Sequence, residues 1–416
     1  MLGNMSGLYI IQGISIGDYA IAGAGSLVLK NMDDNTLHYG VPAEFVKHVK
    51  KGKKYLLKND TPETVISTPN KPILDLVTEK SQWTKTLKEI GIFDFYHTYD
   101  YHQTSKNYDE KPILIVYRKD NVIIALPLLL RNIHNTFFKD ATSVYGYAGP
   151  ISKGVDSDFD NIFFIEELKR FLSKIKVISV FSRLNPFIPN QCEILRNLGK
   201  VNRQGSVVNI DLNLDLQTQR ANYRSRLKTH INKARRLCTV RNAITNSDLQ
   251  EFIDIYHENM NRVNAKKMYY FKKSYFEDLM ANTKFKTELL LAIENQSGAI
   301  VAGSIFVVSN GIVQYHLSGT KSNFLHLTPT KLLIDEMRII ATNNNYNYFN
   351  LGGGLGGRDD DSLFDFKSSF SKDFKDFNLW KFISIPEIYN ELISVKCPNL
   401  ETDFFPKYRA LDNLNE

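Results

Sequence analysis

The sequence predicts a mixed α/β (α+β) chain, and three observations point there. Short apolar strands alternate with amphipathic helices from about residue 75 onward. Two apolar runs joined by Asn310-Gly311 read as a β-hairpin. A strand beginning at Tyr346 runs directly into a glycine cluster, Gly352, Gly353, Gly354, Gly356 and Gly357. At 416 residues the chain is too long for one comfortable core, so two or three units are expected.

Composition narrows the function classes. Hydrophobic content of 43% and charged content of 23% exclude a disordered chain. The net charge of +7 permits anionic partners without demanding them. Three scattered cysteines, Cys192, Cys238 and Cys397, make no metal spacing and fit a reducing compartment. No apolar run approaches the ~18 residues of a membrane span. The N-terminus lacks a signal-peptide pattern. A cytoplasmic protein is expected, with peripheral contact at the inner membrane face left open.

Residues 1–50 form a different object. Ile10, Ile16, Ala22 and Val28 recur every six residues, the period of a left-handed β-helix. With Tyr39-Gly40-Val41-Pro42-Ala43 the segment resembles the last coil and exit of hexapeptide-repeat acyltransferases, over about residues 8–50. The histidine such enzymes take from an earlier coil is absent, and His38 sits in the exit turn. So short a solenoid must lean on the next domain or on another subunit. It reads as a remnant or a homo-oligomerisation patch. Residues 51–74, entered through the basic cluster 50–54 and punctuated by prolines, read as a linker.

The remainder falls into two halves, 75–215 and 216–390, with a tail over 391–416. In the first, strands are expected near 113–117, 122–130, 177–182 and 207–213, and helices near 165–173 and 190–198. Between them, the segment 140–150 holds two tyrosines, two glycines and a proline. The second half opens with a helix whose apolar stripe is Tyr223, Leu227, Ile231, Ala234 and Leu237. Its opposite face carries Arg224, Arg226, Lys228, Lys233, Arg235 and Arg236, six cations against no carboxylate on the helix, which reads as a solvated or an anion-binding surface. A capping box at Ser247-Asp248-Leu249-Gln250 starts the next helix. A strand at 288–294, the hairpin and a helix opened by Thr328-Pro329 follow.

Three motifs carry a second resemblance. Residues 223–236, residues 140–150, and Leu351–Arg358 taken with Phe366-Lys367-Ser368-Ser369-Phe370 resemble the FemAB-type branch of the GNAT superfamily, over roughly residues 80–385. That likeness implies tandem GNAT-like acyltransferase domains with the acceptor in a cleft between them. Members implied by it transfer an amino acid from aminoacyl-tRNA, or an acyl group from acyl-CoA, to an amine of a cell-envelope or surface-polysaccharide precursor, small or lipid-linked. Acyl-CoA is the expected co-substrate, aminoacyl-tRNA the alternative, and no permanently bound cofactor is expected. The usual phosphate loop of acetyl-CoA enzymes is missing, since Gly319 stands alone between 319 and 327.

The expected site follows. Lys367 is the phosphate or oxyanion contact, and Asp140 a base or amine-orienting carboxylate, or else a loop cap. Tyr145 and Tyr147 line the acceptor or pack in the core. Arg226, His316, Gly353, Gly354 and Arg358 are expected on the substrate. Thr328 and Lys331, at a helix start, are expected on the donor. No metal site is expected, because Asp359, Asp360 and Asp361 are consecutive and point apart. Weaker alternatives are an RNA- or anion-binding protein on a decayed GNAT scaffold and O-acetylation by the β-helix.

Overall fold

The computed structural model describes residues 9–411 apart from residues 11, 12, 24, 25, 41 and 50–72. The basic cluster and nearly all of the expected linker lie outside the described residues. Contacts divide the chain into two units, Met1–Thr68 and Pro69–Glu416.

In the first unit the strands are β1 (Tyr9–Ile10), β2 (Ile21–Ala22), β3 (Leu27–Val28), β4 (Thr36–Tyr39) and β5 (Glu44–His48). β1 pairs with β3 and β2 with β4 in parallel, Ile16 bridges Met32, and β5 returns antiparallel along β4. The six-residue row is not a continuous buried core. Val28 is buried, but Ile10 and Ile16 are 42% and 40% exposed. The described strands here are two to five residues long, too short to cover a full row. His38 Nε2 lies 3.1 Å from Thr36 Oγ1 and its ring meets Phe45 edge-on.

The second unit begins with β6 (Ile73–Val77), α1 (Lys80–Ile90) and α2 (Tyr99–Ser105), then β7 (Lys111–Lys119), β8 (Val122–Asn132), β9 (Lys139–Thr142) and β10 (Ile151–Lys153). Next come α3 (Ile162–Lys174), β11 (Val177–Arg183), α4 (Gln191–Leu195), β12 (Lys200–Asp211) and α5 (Leu216–Ala221). The later part holds α6 (Ser225–Leu237), β13 (Cys238–Asn242), α7 (Asn246–Arg262), α8 (Lys273–Ala281), β14 (Lys286–Glu294), β15 (Ile300–Ser309), β16 (Ile312–Thr320), α9 (Pro329–Asn343), β17 (Tyr348–Gly352), α10 (Ser362–Ser368), β18 (Asp373–Ile383) and α11 (Pro386–Lys396).

All thirteen strands join one sheet in the order β13-β14-β15-β16-β17-β12-β18-β11-β9-β8-β7-β6, with β10 against β8. The two halves therefore share a sheet. The last strand, β18, crosses back to lie between β12 and β11, so the seam is woven from both. Helices α6 and α9 cover one core through Leu227, Ile231, Ala234, Leu333 and Met337. α3 covers another through Phe164, Leu168 and Leu172. A third core draws Phe95, Tyr96 and Tyr101 from the first half onto Phe252, Tyr256, Phe276 and Ile305 of the second. At about 25 cal/mol per Å² of apolar burial, that shared core holds the halves as one body.

Local signals explain the elements. Asn310 and Gly311 both have positive φ, 46° and 76°, the pair of dihedrals a two-residue hairpin turn needs. The capping box of α7 sits two residues earlier than expected: Thr245, not Ser247, caps the helix, with Asp248 reaching back. Thr328 does stand at the N-cap of α9, yet its side chain caps nothing; at φ 52° its hydroxyl instead reaches the His230 carbonyl, 3.5 Å away. The C-terminal tail is tied down, since Tyr408 Oη meets Ser179 Oγ at 2.8 Å. Among the described residues no helix is long and apolar enough to cross a membrane.

Candidate functional site

The site starts where two parallel strands part. β16 and β17 pair in parallel only at Ile312–Tyr348, Val313–Phe349 and Gln314–Asn350. Beyond that, β16 stays on β15 while β17 stays on β12, which it pairs with from Tyr348 to Gly352. Two residues beyond Gln314, His316 is the extra residue of a bulge, since Leu317 and Tyr315 oppose Ile305 and Phe306. A parted sheet exposes main-chain groups and side chains that a closed ladder would cover, which is where open α/β sheets take ligands.

Aromatic side chains from both halves gather at this opening. The rings of Phe95, Tyr96, Tyr101, Tyr145 and Tyr275 all lie within 6.3 Å of the His316 ring. Tyr101 donates to the Tyr145 carbonyl at 2.9 Å and lies 3.2 Å from the Tyr275 hydroxyl, which meets His316 Nε2 at 2.7 Å. His316 Nδ1 is buried without a partner. Burial lowers the His316 pKa to about 3, so the ring is neutral at physiological pH.

Lys367 closes the other side. Its ammonium is buried and donates to the Gly353 carbonyl at 2.7 Å. Burial lowers its pKa to about 8, with Asp361 pulling the other way. The Tyr147 hydroxyl is hydrogen-bonded to the Gly353 main chain. Gly352 has φ 79°, and a Cβ there would sit 3.0 Å from Lys367 Nζ and 3.3 Å from Tyr147 Oη. Glycine is needed at 352 both for its dihedral and for this approach.

A buried polar network holds the turn in place. Asp94 accepts from Phe95 N–H at 2.7 Å, from Asn185 Nδ2 at 2.9 Å and from Gln314 Nε2 at 2.7 Å. Gln314 accepts from Asn350 Nδ2 at 2.8 Å, and Asn350 accepts from Gly352 N–H at 2.8 Å. Asn185 also donates to the Tyr147 carbonyl at 2.9 Å. Burial pushes the Asp94 carboxyl up to about 7 against the three donors, which pull it down. The network links Asp94 and Asn185 of the first half to Gln314 and Gly352 of the second.

A separate basic group collects at the start of α9. Lys331 Nζ lies 2.6 Å from His230 Nδ1. Burial lowers the pKa of His230, as do Lys331, Arg226 and Lys233; Lys331 is lowered by burial and by Arg226. Two of the six cations on or just before α6 pair with carboxylates, Arg224 with Asp365 at 2.6 Å and Arg235 with Asp335 at 3.1 Å, and Lys228 and Lys233 donate to main-chain carbonyls.

The geometry thus brings together Lys367, Tyr147, Tyr145 and His316, and in a second group Arg226, Thr328 and Lys331. It corrects the rest. Asp140 is neither base nor loop cap: it is fully buried on β9, with Arg131 Nε at 2.7 Å on one oxygen and Tyr408 at 3.0 Å and Arg409 on the other. A carboxylate so saturated has no lone pair directed at a substrate. Gly353 and Gly354 face their own chain, because added Cβ atoms would lie 2.6 Å from the Ser206 carbonyl and 2.3 Å from the Arg358 carbonyl. Arg358 pairs with Asp360 at 3.2 Å on the surface. Asp359 and Asp361 are loop caps, accepting from Ser206 N–H at 2.6 Å and Phe364 N–H at 2.7 Å. Sequence reasoning missed Asp94, Tyr101, Tyr275 and Gly352. Of these only Gly352, first of the cluster and last of its strand, carried a readable signal.

Comparisons with known proteins agree with this layout. Residues 221–368 match the GNAT acetyltransferase domain family. No curated protein matches the sequence. The crystal structure of FemX is similar in fold, with TM-score 0.60 and 12% identity over 76% of this chain and 99% of that one. L-PGS from Bacillus licheniformis is similar at TM-score 0.50 and 13% identity, over 76% of this chain and 95% of that one. The chain carries a GNAT domain within a FemAB-like fold, and it is an acyltransferase.

Proposed function

We propose that this protein transfers an acyl group, acetyl or aminoacyl, to an amino group of a cell-envelope or surface-polysaccharide precursor. The observation that carries the reading is the buried Lys367 ammonium beside the parted ends of β16 and β17, facing aromatic side chains of both halves. One of its three N–H groups serves the Gly353 carbonyl. The others remain for an oxyanion, and a desolvated donor aimed at developing charge is worth far more than one in water.

The donor is acyl-CoA, with aminoacyl-tRNA as the alternative. Support comes from the start of α9, where Thr328 leaves the helix uncapped and Lys331 and Arg226 supply positive charge for a phosphate group, beside a His230 ring held neutral by burial and by those cations. A neutral amine attacks the donor carbonyl, the C–N bond forms, and the C–S or C–O bond to the carrier breaks. Lys367 holds the negative oxygen, and the amine gives up its proton to solvent. Tyr145 and Tyr147, both half-buried, form the acceptor wall.

Thermal shift and native mass spectrometry with acetyl-CoA, longer acyl-CoAs, a charged-tRNA mimic and UDP-linked amino sugars test this. Coenzyme A binding weakened by Arg226→Ala and turnover lost in Lys367→Ala are the expected results. Binding to charged tRNA alone replaces the donor. Binding to none of them overturns the reading.

A further inference from the structure

Arg183 ends β11 beside the tyrosine cage, and among the described residues no carboxylate answers its charge. Its guanidinium stacks on the Phe181 ring, 5.0 Å from the centroid. Burial lowers its pKa, Tyr145, Tyr269 and Tyr147 act on it in that order, and Arg131 adds repulsion. Arg131 is itself engaged with Asp140 at 2.7 Å, so neither group is available to Arg183. The strand end is fixed, because Arg183 N–H donates to Ser143 Oγ at 3.1 Å and Leu184 N–H to the Asn378 carbonyl at 2.9 Å. A partly desolvated guanidinium without an anion is costly, and such a group persists where a ligand completes it.

The segment between α7 and α8 strengthens the case. It brings Tyr269 within 6.0 Å of the Tyr145 ring and carries Lys266, Lys267 and Lys272, all exposed and without an ion pair among the described residues. This rim is therefore of one sign. Its charge is separate from the basic group at the start of α9, which serves the donor.

We infer that Arg183, with Tyr145, Tyr147 and Tyr269, forms a subsite for an anionic group, phosphate or carboxylate, on the acceptor; this rests on the acyl-transfer reading of the same cleft. The planar fork of a guanidinium matches either group through two parallel hydrogen bonds. Phenol hydroxyls and ring faces suit the sugar or other polar body that carries it.

Calorimetric titration of the full chain with D-glucosamine, D-glucosamine 6-phosphate and D-glucosaminic acid tests the subsite, and the last two separate phosphate from carboxylate. One anionic amine is expected to bind at least about tenfold tighter than glucosamine. Arg183→Gln should reduce that preference to the glucosamine level, and Arg183→Lys should keep part of it. Neither variant should alter coenzyme A binding, and Arg183→Gln should melt no lower than the parent, since it removes an unanswered charge. Equal affinity for neutral and anionic amines, no binding of either anion at millimolar concentration, or a preference that survives Arg183→Gln overturns the inference. A lower melting temperature in Arg183→Gln that Arg183→Lys restores makes the residue structural and overturns it too. An Arg183-dependent preference without acyl transfer to any amine would leave the subsite standing and remove the acyl-transfer reading instead.

Discussion

The two halves each contain a parallel strand pair followed or spanned by a helix, and only one pair is open. In the first half β9 and β11 stay zipped to Thr142–Phe181, Ser143 N–H donates to the Phe181 carbonyl, and Ala148 bridges Leu184 beyond. In the second half β16 and β17 part after Gln314–Asn350. The helix starts differ as well. α3 is preceded by Asp156, Asp158 and Asp160, and Asp160 accepts from Ile162 N–H at 3.0 Å, so its N-terminus is already neutralised by the chain. α9 begins with a Thr328 side chain that does not cap it, near Lys331 and Arg226. At these helix starts the first half keeps an anion out and the second leaves room for one. On the proposed reading the acyl donor is served by the second half, while the first contributes Tyr145, Tyr147, Asp94 and Arg183. The GNAT family match covers 221–368, within the second half.

The largest effect should come from the open half. Lys367→Ala is expected to lower kcat by about 10²–10³-fold, the usual loss when one oxyanion donor is removed. Steady-state kinetics with whichever donor the ligand screen finds checks it. The pH dependence has an opposite sign for activity and stability. With its pKa lowered to about 8, Lys367 loses its proton as pH rises through 8, and kcat should fall there. Between about 8 and the ordinary lysine value the unfolded chain binds more protons than the folded one, so stability from this residue rises with pH over the same window. Activity and melting temperature moving together across that window would contradict the assignment.

Next is the contrast between helix starts. Arg226→Glu and Lys331→Glu should each weaken donor binding about tenfold, by loss of one charge-assisted contact. The loss should shrink at high salt. Asp158→Lys and Asp160→Lys in the closed half should leave donor affinity unchanged. A donor whose affinity responds equally to both pairs would erase the distinction between the halves.

A smaller effect on turnover, and a clear one on stability, is expected at the network joining them. Gln314→Leu leaves Asp94 short of one of three donors and Asn350 without its acceptor, costing about 1–3 kcal/mol by denaturant melts. Asp94 is raised to about 7, so below that pH the folded chain holds a proton the unfolded chain gives up above about 4. Stability from Asp94 should thus fall as pH rises from 4 to 7, and Asp94→Asn should remove that slope.

What could be read from the sequence follows from how local each signal is. The hairpin, the basic helix and the strand before the glycines are written in adjacent residues, and the sheet contains them near the expected places. Lys367 could be picked because aromatic and small neighbours frame it within five residues. Arg183 and Asp94 could not. Their role is set by what is absent around one and by three donors around the other, gathered from 95, 185 and 314. The glycine cluster misled in a similar way: its density largely reflects close packing on Ser206 and Asp361, and only Gly352 and the Gly353 main chain meet Lys367 and Tyr147. The six-residue row of the first unit was legible as a period but not as a core, since burial depends on how many coils cover it.

The smallest effect on turnover should come from Asp140, the residue whose type most suggested chemistry. It lies in the closed half, where Arg131, Tyr408 and Arg409 engage both oxygens. Removing the charge leaves two arginines facing a neutral amide, and breaking a buried pair in this way costs about 3–5 kcal/mol. Asp140→Asn should therefore lower the melting temperature markedly while kcat of the folded fraction stays within about twofold of the parent, because no hydrogen bond runs from Asp140 to Lys367, His316 or Tyr147. The same substitution should loosen the C-terminal turn at Lys407–Arg409, visible as faster amide exchange there, since Tyr408 and Arg409 hold that turn to β9 through this one carboxylate. A large kcat loss at unchanged stability would move the chemistry into the closed half and reverse the comparison.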